Sequence, residues 1–242
     1  MNVTKRKIGR TGVEVFPIGL GAMPLSLDDR PSEEDAIRVI HAALDAGVDF
    51  IDTANVYCLN DGDIGHNEAL IQKALKSAGP SKASKIRVAT KGGLRRPKGD
   101  WVTDARPTVL RKACEKSLKD LGVERIFLYQ LHAPDDMVKL EDSVGELARL
   151  KSEGKIEHVG ISNVDPPELD RAQKVTRIET VQNRCSIIAP LDLRNGMVRR
   201  CAEQEVTYIA YSPVGGSHGK THVDRNPVLL EIAKRRHSTP FQ

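Results

Sequence analysis

The stretch SEEDAIRVIHAALDAGVDFID, Ser32–Asp52, holds two different patterns separated by one glycine. Ser32 stands where an N-cap belongs, and Glu33, Glu34 and Asp35 load the first turn with negative charge. Ile37, Ile40, Ala43 and Leu44 then share one helical face before Gly47 closes the run. After the glycine, Val48–Asp52 is a short apolar run that ends in an acid, the signature of a buried strand emerging at one end. A helix that feeds straight into a buried strand is part of a parallel βα repeat, so the fold depends on whether the rest of the chain repeats it.

The pattern does recur. Strands are expected at Val15–Gly19, Val48–Asp52, Ile86–Thr90, Ile126–Leu131, Ile156–Ile161, Thr180–Gln182 and Thr207–Ala210. Helical periodicity fills the intervals in NEALIQKALKSAG, RPTVLRKACEKSLKDLG, LEDSVGELARLKSEG, PPELDRAQKV, RNGMVRRCAEQ and PVLLEIAKRRH. No Pro/Gly/Ser-rich linker divides these units, so residues 1–242 read as a single domain. KRKIGRTGVEV, with Gly-x-Thr-Gly between two short runs, reads as a β-hairpin ahead of the first unit.

The bulk properties narrow the function class. The chain has no low-complexity tract and no apolar run near the roughly 18 residues of a membrane span. MNVTKRKIGRTG leads into no signal-peptide core, so no membrane role and no export are expected. The net charge of +4 is dispersed, and its densest clusters, GLRRPKG and AKRRH, carry no interleaved aromatics, which argues against a nucleic-acid face. Cys58, Cys114, Cys185 and Cys201 form no C-x-x-C pair and no zinc spacing. Neither a disulfide framework nor a metal site is expected, and a cytoplasmic location fits.

The glycine-rich stretches do not make a nucleotide motif. GLGAMP begins as G-x-G but places Pro24 where the third glycine of G-x-G-x-x-G belongs. VGGSHGKT fails as a P-loop because Val214 occupies the first glycine position, although a glycine-rich loop after a strand still offers N–H groups to a phosphate. KGG at 91–93 is a lysine at a strand end.

The informative pattern is positional. If the units close into a barrel, all strand C-termini share one face. That face would carry Asp52 with Tyr57 just beyond it, Lys91, His132, Ser162, Asn163, Gln182, Asn183, and the run Tyr211, Ser212 and Pro213. Singly, each has an ordinary explanation: Asp52 caps a turn, Tyr57 packs, Lys91 is a surface cation, His132 a satisfied histidine and Gln182 a loop amide. Together they crowd one face with ionisable groups.

Here the sequence resembles the aldo-keto reductases. The matching stretches are KIGRTGVEVFPIGLGAM, GVDFIDTANVY, NEALIQKAL, VATKGG, SLKDLGVERIFLYQLHAP, LARLKSEGKIEHVGISN, VQNRCS and YSPVGG, in the family's order. The resemblance implies an α/β fold of the (β/α)8 TIM-barrel type with an N-terminal β-hairpin. It implies NADP(H)-dependent reduction of an aldehyde or ketone, NADPH preferred over NADH, with a small-molecule carbonyl substrate. The family's catalytic tetrad falls on Asp52, Tyr57, Lys91 and His132. Tyr57 would be the proton donor. Tyrosine ordinarily titrates near about 10, and a neighbouring Lys91 ammonium would favour the phenolate and lower that value. Asp52 would fix Lys91, and His132 would orient the substrate oxygen.

The cofactor contacts implied are Ser162, Asn163 and Gln182 for the nicotinamide carboxamide and Tyr211 for stacking on its ring. Ser212 and Pro213 with the Val214, Gly215 and Gly216 backbone would approach the pyrophosphate, and Gly21, Ala22 and Met23 would pass nearby. Trp101, in KGDWVTD, either shapes the substrate pocket or packs as an exposed loop residue. Against the family pattern, the eighth βα unit, with its adenosine-phosphate segment, is missing from the chain, which is expected to be incomplete at the C-terminus and to bind NADPH weakly. The alternative is a non-catalytic or impaired cofactor-binding, regulatory barrel on the same fold.

Overall fold

A computed structural model describes residues 3–242, apart from the side chains of 217–221. Seven parallel strands curl into a nearly closed barrel. In chain order these are β1 (Leu20–Gly21), β2 (Phe50–Asp52), β3 (Arg87–Gly92), β4 (Ile126–Leu131), β5 (Ile156–Ser162), β6 (Thr180–Arg184) and β7 (Thr207–Tyr211). Each pairs with its predecessor, so sequence order and spatial order coincide. β1 and β7 are the two ends of the sheet, with no ladder between them among the described residues, and the eighth βα unit of the barrel type is missing as expected.

The connecting helices start and stop where their residues dictate. α1 (Glu33–Asp45) begins as Ser32 accepts a hydrogen bond from the Asp35 amide, and it buries Ala36 and Ile40. α2 spans His66–Ala78. α3 (Pro107–Leu121) has proline in its first turn, where the missing N–H costs nothing, and closes on Gly122 at φ +65°. α4 spans Leu140–Ser152. α5 (Pro166–Val175) opens with a reciprocal capping box between Asp165 and Glu168. α6 spans Met197–Glu203. Among the described residues, no helix is long and apolar enough to cross a membrane.

The period-two alternation of the strands decides which side chains enter the barrel. Phe50, Ala89 and Leu128 point inward and form an apolar plug with Ile8 and Val15 of the N-terminal hairpin. Ile51, Tyr129 and Leu131 point outward into the larger layer shared with Ile40, Leu70, Leu110 and Leu147 of the helices. Each fully buried aliphatic side chain in these layers contributes about 1.5–3 kcal/mol relative to exposure. Continuing the alternation by one step sends Asp52, Lys91 and Gln130 into the bore, above the plug.

The hairpin pairs Arg6–Lys7 with Glu14–Val15, as expected, and seals the N-terminal end of the barrel. It is tied down by Gly9 N–H to Thr207 Oγ1 (2.7 Å) and Arg10 N–H to Glu179 Oε2 (2.8 Å). Two elements differ from the expectation. The first barrel strand is Leu20–Gly21 rather than Val15–Gly19, because the hairpin takes Val15 and the Phe16 N–H bonds the Asp49 carboxylate at 2.6 Å, while Pro17 has no N–H for a ladder. The glycine-rich stretch after β7 is also no extended loop. Gly215, at φ +91°, turns the chain directly into α7 (Gly216–Arg225), and α8 (Pro227–Arg236) follows behind its own cap, Asn226.

Candidate active site

Lys91 is the centre of the bore. It ends the inward row of β3 and is 1% exposed, so its ammonium must find every partner within the protein. It does so with all three N–H groups: Asp52 Oδ2 at 2.7 Å, the Thr53 carbonyl at 2.9 Å and Tyr57 Oη at 2.9 Å. An ammonium has three donors and no acceptor. The phenol oxygen therefore accepts from Lys91, and its own O–H is left to point elsewhere.

The electrostatics follow from this packing. Burial pulls the Lys91 amine down, but the Asp52 carboxylate and the Tyr57 oxygen outweigh it and hold the amine above its ordinary value. Burial pushes the Tyr57 phenol up, and the opposing pull of Lys91 is smaller, so the phenol titrates above its ordinary 10. This corrects the expectation of a lowered tyrosine: the lysine is in place, but desolvation of the phenolate prevails.

His132 follows β4, anchored by its N–H to the Gly92 carbonyl at 2.8 Å. Burial, aided by Lys91, holds its imidazole well below the ordinary value, so the ring is neutral at neutral pH. Its Nδ1 is buried with no hydrogen-bond partner among the described residues. The ring meets Tyr57 edge to face at 5.7 Å between centroids, and Trp101 closes the triangle at 6.3 Å from Tyr57 and 6.4 Å from His132. Trp101 thus borders the Tyr57–His132 pair and is also 46% exposed.

Beside this centre lie the residues expected to hold a nicotinamide. Gln182 Nε2 donates to Asp52 Oδ1 at 2.8 Å. Ser162 Oγ donates to the Gln182 carbonyl at 2.6 Å, and Asn163 Nδ2 donates to the His132 carbonyl at 2.9 Å. Asn163, at φ +58°, accepts from the Tyr211 hydroxyl at 2.8 Å. The side-chain donors of Ser162 and Gln182 are thus engaged within the cluster, while Gln182 Oε1 accepts no hydrogen bond among the described residues. Asn183 is turned away, bridging the Val164 carbonyl and Asp192.

Gly21 and Ala22 lie against the end of β2, where the Ala22 N–H bonds the Asp52 carbonyl at 2.9 Å. Open space lies where a Gly21 Cβ would be. Met23 follows in a short helical turn at 37% exposure. Past Tyr211, Ser212 stands at φ +50° and its carbonyl accepts from the Gly215 N–H at 2.8 Å, so Pro213 and Val214 form the tight turn into α7. A side chain at Gly216 would press within 3.0 Å of Ser212 Oγ. Two successive glycines with positive φ at a helix start make a cradle suited to a phosphate. Together with the acceptor left on Gln182, these residues fit a dinucleotide.

Two polar residues of the site were not singled out in the sequence. Gln130 points inward from β4, bonded to Thr180 Oγ1 at 3.2 Å and reaching Asp52 Oδ1 at 3.5 Å. A Cβ at the intervening Gly160 would overlap Thr180 Oγ1 and lie 2.8 Å from Gln130 Cγ, so the pair meets only across a glycine. The signal was the alternation that makes Gln130 inward-facing. Arg96, 3% exposed in the loop after β3, had none.

Comparison with known proteins agrees with the fold. The model of the aldo/keto reductase family matches residues 17–238. A probable aldo-keto reductase 1 of Glycine max is 38% identical over 265 residues, spanning 98% of this chain and 74% of the relative. The glycerol dehydrogenase of Gluconobacter oxydans superposes with a TM-score of 0.82 at 25% identity, covering 99% of this chain and 81% of that one. An aldo-keto reductase of Bacillus halodurans in its holo form gives 0.75 at 29% identity, over 93% and 70%.

Proposed function

The chain belongs to the aldo/keto reductase family, and from that premise we propose that it reduces an aldehyde or ketone to the alcohol, with NADPH in preference to NADH as hydride donor and Tyr57 as proton donor. The observation that carries this reading is the exhausted donor set of Lys91, which leaves the Tyr57 O–H as the free acid of the bore.

The bound nicotinamide would supply the hydride to the carbonyl carbon. The protein's own residues handle the proton and the charge. A phenol held above its ordinary value is fully protonated at neutral pH, as a proton donor must be, and Lys91 at 2.9 Å stabilises the phenolate left when the proton moves to the nascent alkoxide. Solvent then restores the phenol. Neutral His132, with Nδ1 enclosed, offers its other ring nitrogen to the substrate oxygen and orients it between the two rings. Asp52 keeps Lys91 charged and fixed. Ser162, Asn163 and Gln182 would hold the carboxamide, Tyr211 the ring, and the Ser212–Gly216 turn the pyrophosphate, with Gly21, Ala22 and Met23 alongside.

The test is direct label transfer. With NADPH deuterated at the transferable position and a generic aromatic aldehyde, the alcohol should carry one deuterium on its carbinol carbon. Unlabelled alcohol would rule out direct hydride transfer.

A further inference from the structure

We propose that Arg96 is a positioning residue that sets the Tyr57 hydroxyl for proton transfer, an inference that rests on the proposed role of Tyr57 as the acid. Tyr57 does not lie on a strand. It sits five residues beyond Asp52 in a loop, so its placement over Lys91 depends on what holds that loop. The residues that follow it are held by Arg96. The Arg96 Nε donates to the Cys58 carbonyl at 3.2 Å and Nη2 reaches the Leu59 carbonyl at 3.5 Å. The backbones are laced together as well: the Arg96 N–H bonds Asp61 Oδ1 and the Asp61 N–H bonds the Arg96 carbonyl, both at 2.9 Å.

The same guanidinium carries the other wall of the site. Its Cζ lies 4.0 Å from the centroid of the Trp101 ring, and Trp101 in turn meets both Tyr57 and His132. Arg96 is 3% exposed, its guanidinium bonds main-chain carbonyls, and its Nη1 is buried without a hydrogen-bond partner among the described residues. A buried cation bonded to main-chain carbonyls and stacked on an aromatic face, with the Cys58 thiol beside it, is costly to retain for stability alone. A planar fork is what allows one side chain to bond adjacent carbonyls and stack at once, and a lysine ammonium can do only part of this.

The test compares Arg96→Met, Arg96→Lys and Tyr57→Phe with the unaltered protein. The readouts are kcat, the NADPH dissociation constant, the solvent deuterium isotope effect on kcat, and the emission of Trp101, the one tryptophan of the chain. Both Arg96 variants should lose about tenfold or more in kcat and show a larger solvent isotope effect as proton transfer becomes limiting. NADPH affinity should stay unchanged, and Trp101 emission should shift even without ligand. Unchanged kcat and isotope effect in a folded Arg96→Met or Arg96→Lys, alongside an inactive Tyr57→Phe, would overturn the positioning role while leaving Tyr57 as the acid. Loss of the far-ultraviolet circular dichroism signal in both Arg96 variants would also overturn it, by making Arg96 a determinant of the fold. Full activity of Tyr57→Phe would remove the premise, and this proposal with it.

Discussion

The Gln182 amide nitrogen donates to Asp52 Oδ1 at 2.8 Å, joining strands β6 and β2 across the bore. Because Asp52 Oδ2 is bound to Lys91, one carboxylate connects the residue proposed to hold the cofactor with the residue proposed to polarise the acid. Replacing Gln182 with glutamate should therefore disturb the proton chemistry. At neutral pH a carboxylate at that distance repels the Asp52 carboxylate instead of donating to it, until one of the two takes up a proton at lower pH. In Gln182→Glu, kcat at neutral pH should fall about tenfold or more, and the deficit should shrink as the pH approaches about 5, where the introduced carboxyl is protonated and can again donate. A parallel pair of pH profiles checks this, and a deficit independent of pH would count against it.

Lys91 should matter for stability as well as for rate. In Lys91→Met the Asp52 carboxylate, with 15% of its side chain exposed, loses its counter-charge, a change that should cost about 3 kcal/mol in urea unfolding. Adding Asp52→Asn should recover part of the loss, since the uncompensated charge is removed. Additive losses would show that the two residues do not act as a pair.

Outside the bore, Glu68 of α2 provides a pH-dependent signature. It is fully buried, accepts from Thr90 Oγ1 at 2.5 Å, and its Oε2 has no partner among the described residues. Burial pushes its carboxyl up to about 7 from 4.5. Between those values the folded protein binds more protons than the unfolded chain, so this group's contribution to stability falls as the pH rises through the window. Glu68→Gln should melt higher than the unaltered protein at pH ~8 and gain little at pH ~5. An equal shift at both pH values would contradict the assignment.

The strand-end logic made most of the site legible. Asp52, Lys91 and His132 each close an apolar run, and a parallel barrel has one face for such ends. Gln130 was equally legible in principle, two residues before His132 on an alternating strand, yet a buried amide lacks the obvious chemistry of an ion. The first strand was misplaced because Val15 suits both a hairpin and a barrel strand, and only tertiary pairing decides between them. The helix at Gly216 was hidden by glycines, which cap a helix as readily as they loosen a loop. Arg96 gave no periodic signal, since its partners are main-chain carbonyls of a distant loop. The direction of the Tyr57 shift required knowing how deeply the phenol is buried.

The proposed chemistry turns on the Tyr57 hydroxyl, held against Lys91 at 2.9 Å, as the group that delivers the proton. The most direct measurement follows NADPH absorbance with an aromatic aldehyde for the unaltered protein and for Tyr57→Phe, which keeps the ring and removes only the hydroxyl. Tyr57→Phe should lose about 100-fold or more in kcat, the usual scale for removing a general acid, while still binding NADPH. Equal rates of NADPH consumption by the two proteins would contradict it.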